Sequence, residues 1–84
     1  MRVLVIDGQG GKVGAQLVSG IRERLPGARV TAVGTNAMAA AALRKAGADA
    51  AATGENAVIV ACRTADVIVG PVGIVIAAVS YTHL

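Results

Sequence analysis

The chain has 84 residues, eight lysines and arginines against five acids, and 55% hydrophobic side chains with one tyrosine and no tryptophan or phenylalanine. That length holds one domain at most, and a chain so short buries only about 60–70% of its unfolded surface. The net charge of +3 does not make a nucleic-acid binder, because Arg22, Arg24, Arg29, Arg44, Lys45 and Arg63 are scattered and no aromatic platform exists for stacking bases.

Cys62 is the single cysteine, which excludes an internal disulfide. The N-terminus lacks the basic-then-apolar layout of a signal peptide. The longest apolar run near the C-terminus, residues 72–79, is far below the ~20 residues that a spanning helix needs. The expectation is a cytoplasmic protein without a membrane segment.

Taken in order, residues 3–6 read VLVI, apolar on both pleat faces, as in a central parallel strand covered on both sides. Asp7 ends the run, and Gly8, Gly10, Gly11 and Gly14 follow within seven residues. Val13, Leu17, Val18, Ile21 and Leu25 then recur at helical spacing until Pro26-Gly27 stops the helix. Residues 29–33 form a second strand, ending at Gly34-Thr35-Asn36. Asn36 is a natural N-cap for a helix over residues 37–46, which has high helix propensity, cations in its last turn and Gly47 at its C-terminal cap.

A third strand is expected around residues 49–52, although alanine is a poor strand former. Residues 57–64 read as a helix, since VIVAC lies between two strands and parallel neighbours need a crossover. The next strand covers residues 66–69. Gly70-Pro71-Val72-Gly73 makes a second glycine loop, and residues 74–78 are expected to start another helix.

The order β-α-β-α-β-α-β predicts an α/β, Rossmann-like three-layer parallel sheet with strand order 3-2-1-4, incomplete at the C-terminus. Strand one then sits between strands two and four, and both glycine loops meet at the switch point where ligands bind.

Phosphate binding at the first loop has a physical basis: glycine lets backbone N–H groups approach an anion, and a helix N-terminus carries a favourable partial charge. The strict G-x-G-x-x-G fingerprint would need a glycine at Val13 and fails. Gly8, Gly11 and Gly14 fit G-x-x-G-x-x-G, which resembles the loop of extended short-chain dehydrogenases and their redox-sensing relatives. Gly10-Gly11-Lys12-Val13-Gly14 looks like part of the loop of partition-type ATPases. That chemistry would put its lysine and hydroxyl at Ala15 and Gln16, so ATP hydrolysis is set aside.

The candidate cofactor-binding residues are therefore Asp7, Gly8, Gln9, Gly10, Gly11, Lys12, Val13 and Gly14, joined by Thr35, Asn36, Gly70, Pro71 and Gly73. The acid that usually holds the adenosine ribose about 20 residues past the loop is missing. Gly34, Thr35 and Asn36 stand there instead, and no arginine follows to take a 2′-phosphate, so NAD and NADP both stay open.

Asp7 either contacts ligand or bonds loop amides. Glu55 and Asn56 read as helix caps. Cys62, inside an apolar segment, reads as a buried packing thiol. His83 lacks a partner, no metal-ligand spacing occurs, and no catalytic group is identified.

Ile6-Asp7-Gly8-Gln9-Gly10-Gly11, Gly34-Thr35-Asn36-Ala37, Ala46-Gly47-Ala48, Ala52-Thr53-Gly54-Glu55-Asn56-Ala57 and Gly70-Pro71-Val72-Gly73-Ile74 together resemble a bacterial family, domain of unknown function 3842. The resemblance implies a Rossmann-like domain longer than this chain and brings no activity. Val79-Ser80-Tyr81-Thr82-His83-Leu84 looks like a translated sequencing adapter, the transposon mosaic end. Residues 1–78 are accordingly expected to be a partial domain and residues 79–84 an artefactual tail. Strand four would then be an exposed edge under a helix stub, which favours aggregation or partial unfolding.

Two functional readings follow. One is a protein that binds a nucleotide or dinucleotide, a phosphate-bearing small molecule such as NAD or NADP; if it is an enzyme, oxidoreduction is its class, although no Tyr-x-x-x-Lys is present. The other is a non-catalytic ligand sensor or interaction module with a structural glycine loop. Neither fixes the oligomeric state.

Overall fold

The computed structural model describes residues 1–8, 11–70 and 73–76. Expectations that fall on Gln9, Gly10, Pro71, Val72 and residues 77–84, His83 and the tail among them, lie outside the described residues. The elements are β1 (Arg2–Asp7), α1 (Lys12–Arg24), β2 (Arg29–Gly34), α2 (Ala37–Lys45), β3 (Ala50–Thr53), α3 (Glu55–Cys62), β4 (Val67–Gly70) and β5 (Gly73–Ile76). The first four strands are parallel in the order 3-2-1-4, the Rossmann-like arrangement, with β1 paired to β2 along its whole length and to β4 through Val3, Leu4 and Val5.

β1 is buried because it is covered on both faces. Val3 and Val5 face α1 and α2, joining Val30, Ala32 and Val69 from the other strands with Val18 and Leu43 from the helices. Leu4 and Ile6 face α3, together with Thr31 and Val33. The first face is the drier, since α1 and α2 each bury side chains whereas α3 buries none completely.

Helix α2 starts where Asn36 Oδ1 accepts the Ala39 N–H at 2.8 Å, and Gly47, at φ 122°, takes the left-handed conformation past its end. The inner face of α1 differs from the apolar count. Gly14 and Val18 are buried, whereas Val13 and Leu25 are 46% and 45% exposed. A glycine facing the strands lets the helix sit close, and that shifts the buried stripe off Val13.

Beyond the glycine loop, one link ties α1 to the far strands. Asp49 Oδ1 pairs with Arg22 Nη2 at 3.0 Å and its Oδ2 accepts the Val30 N–H at 2.7 Å. The backbone hydrogen bond from Val30, followed by the charges of Arg22 and Arg29, holds the Asp49 carboxyl below the usual carboxylate range against a partial opposing effect of desolvation.

The C-terminal expectation is corrected. Residues 73–76 are not the start of a helix but β5, antiparallel to β4, with Gly70 opposite Gly73 and Val67 opposite Ile76. Ile74, Val75 and Ile76 are β-branched, and only two residues separate the paired glycines. That spacing suits a hairpin, whereas a parallel neighbour would need a crossover. β4 is thus an inner strand and not the exposed edge. Two smaller corrections concern α3. Its N-cap is Gly54, without a side-chain cap bond, rather than Glu55 or Asn56. Cys62 is free and only half-buried, because α3 covers its face of the sheet alone among the described helices.

Candidate functional site

The carboxyl ends of β1 and β2 lie side by side, with Asp7 in register with Gly34. Asp7 is fully buried, its Oδ2 accepts the Gly14 N–H at 3.1 Å, and its carbonyl oxygen accepts the Thr35 N–H at 3.2 Å. A strand-end carboxylate therefore holds the first turn of α1 and the loop after β2 in one frame. Because Gly14 donates to Asp7, the first-turn amides of Lys12 and Val13 are the donors that a helix start leaves for something else.

The three glycines of the spaced motif have different reasons to be there. A Cβ on Gly14 would stand 2.6 Å from both Asp7 Oδ2 and Leu43 Cδ2, so that position is fixed by helix-to-strand packing. Gly11 sits at φ 92°, and a Cβ there would come within 3.0 Å of Ala39 Cα, so both its conformation and the approach of α2 require glycine. Gly8 is exposed and a Cβ would meet no described atom within 4 Å. Gly34 carries a fourth close approach, 2.7 Å from a would-be Cβ to the Ala40 nitrogen.

On the α3 side of these strand ends lies an open cavity of about 200 Å³, lined by Ile6, Asp7, Val33, Gly34, Thr35, Gly54, Glu55 and Val58. Its floor is apolar and its rim carries Thr35 and Glu55, so it suits a flat, partly apolar group with polar edges. Of the sequence-derived candidates, Asp7 and Thr35 line it. Gly8, Gly11, Lys12, Val13 and Gly14 lie on the adjoining turn and first turn of α1, and Asn36 lends its oxygen to the α2 cap. Gly70 and Gly73 face each other in the β4–β5 ladder, where a Cβ on Gly70 would stand 3.5 Å from the Ile6 carbonyl oxygen.

Sequence reasoning did not select Ile6, Val33, Gly34, Gly54, Glu55 and Val58 as site residues. The available signal was alternation: Ile6 and Val33 are the last residues of their strands on the α3 face, and the loop after β3 must open at the same edge. A second cavity, of about 220 Å³, lies at the opposite edge, lined in part by Arg2, Arg29, Thr31 and Thr64. Arg2 and Arg29 are register partners, and they share this cavity with Ala61 and Thr64 at the end of α3.

A family model described as Domain of unknown function (DUF3842) matches residues 2–82. The chain belongs to that family. No curated protein and no solved structure matches it. Among the described residues of this DUF3842 domain, no group of three or more His, Cys, Asp or Glu side chains is arranged to hold a metal ion, and no helix is long and apolar enough to cross a membrane.

Proposed function

We propose that this domain binds a nucleotide or dinucleotide of the NAD(P) type, a phosphate-bearing small molecule, at the carboxyl edge of β1 and β2. The observation that carries the reading is the cavity of about 200 Å³ adjoining a glycine turn that leads into a helix N-terminus. The apolar floor of Ile6, Val33 and Val58 suits a base, the hydroxyl of Thr35 suits a ribose, and Gly8 with the amides of Lys12 and Val13 suits a phosphate. In this reading the domain works in the cytoplasm, and any turnover is oxidoreductive.

A second reading has its own observation. Gly11, Gly14 and Gly34 each stand where a Cβ would strike a neighbour, so a purely architectural loop in a non-catalytic sensor or interaction module also accounts for them. Calorimetric titration of NAD, NADP and ATP separates the two. The nucleotide reading expects saturable binding of NAD or NADP below millimolar concentration, whereas heats indistinguishable from dilution for all three sink it.

A further inference from the structure

The Rossmann arrangement ordinarily recognises the ribose 2′-hydroxyl through an acid at the end of β2. Here that end supplies Gly34, Thr35 and Asn36, and the Asn36 side-chain oxygen is engaged with the Ala39 amide at 2.8 Å. A carboxylate reaches the same cavity from another element. Glu55, in the first turn of α3, lines it together with Thr35 and Gly34. Asp7, the other acid on that wall, is fully buried and bonded to the Gly14 amide, which leaves Glu55 as the exposed acid of the rim.

We infer that Glu55 is the residue that selects the ribose, so that the cavity takes a nucleotide with a free 2′-hydroxyl and rejects a 2′-phosphate. This rests on the nucleotide reading above. A carboxylate accepts hydrogen bonds from a ribose hydroxyl, and it repels the negative charge that a 2′-phosphate would bring to the same place. Gly54 contributes to the fit: at φ 97° it turns the chain from β3 into α3, and an L side chain there would strain the turn that carries Glu55 to the rim.

The test compares NAD with NADP, which differ only at the 2′ position, on the wild-type chain and on the exposed-site variants Glu55→Gln and Glu55→Arg. The expected result is a preference for NAD of about tenfold or more in the wild type, narrowed by Glu55→Gln and reversed by Glu55→Arg. Binding of both ligands with an NAD/NADP ratio that neither variant changes overturns the assignment of Glu55 while leaving the nucleotide reading intact. A wild-type preference for NADP does the same. Absence of binding by either ligand removes the nucleotide reading itself. Matching circular-dichroism melts for the three proteins show that each ratio belongs to a folded chain.

Discussion

Asp7 illustrates how one side chain couples strand, loop and helix. It is fully buried, and its carboxylate accepts the Gly14 amide, which only a residue without a Cβ can bring so close. Gly14→Ala is therefore expected to cost about 1–3 kcal/mol in denaturant unfolding, the range for overpacking a tight site. Gly8→Ala, in open surroundings, should stay within about 0.5 kcal/mol of wild type. Equal losses at the two positions would contradict the division between packing glycine and open glycine.

Asp49 makes the pH dependence specific. Its folded-state pKa is lowered, first by the Val30 N–H and then by Arg22, so the unfolded chain takes up the proton more readily than the native one. The stability it adds is complete above the ordinary carboxylate pKa of about 4 and is lost as pH falls through that value to the lower native one. Thermal melts from about pH 6 to pH 3 should show the wild type losing stability relative to Asp49→Asn as the solution is acidified. Parallel acid profiles for the two proteins would refute the link. Side-chain exposures of 30% for Arg22 and 27% for Asp49 mean that salt screens the pair and makes the effect smaller.

Among the elements, α3 is set apart. α1 and α2 bury Gly14, Val18, Ala39, Ala40 and Leu43 between them, while α3 has no fully buried residue and leaves Ile59 and Val60 each 54% exposed. Local opening follows burial. Amide hydrogen exchange in α3 is accordingly expected to be faster than in α1 and α2 and much faster than in β1; protection of α3 equal to that of β1 would contradict this. The cavity wall that carries Glu55 thus belongs to the least anchored helix of the three described.

The strands β1 and β2 and the helices α1 and α2 were legible because their residues obey local rules: VLVI for a doubly covered strand, Asn36 and Gly47 for the ends of α2. β5 was not. Its residues after Gly73 are equally apolar in a helix or a strand, and the two-residue spacing between Gly70 and Gly73 fits a ligand loop and a hairpin alike. The glycine motif was legible as a pattern, but which glycine faces solvent and which faces α2 depends on how two helices pack, and that is a tertiary fact. Glu55 reads from the sequence only as a helix cap, because its approach to the ends of β1 and β2 is made through the crossover after β3.

At the scale of the whole molecule, a mostly parallel sheet brings the ends of β1, β2 and β3 to one edge, and the cavity beside the glycine turn forms there from residues far apart in sequence. The opposite edge presents Arg2 and Arg29 and, among the described residues, none of the candidate ligand groups. Whether this carboxyl edge takes a nucleotide is decided by following backbone amide resonances of the chain during a titration with NAD. Binding at the carboxyl edge is expected to give saturable shifts confined to Gly8, Lys12, Val13, Thr35, Gly54 and Glu55 and their neighbours, with the Arg2 and Arg29 edge unmoved. Shifts centred on Arg2 and Arg29, or none anywhere at millimolar NAD, would contradict it.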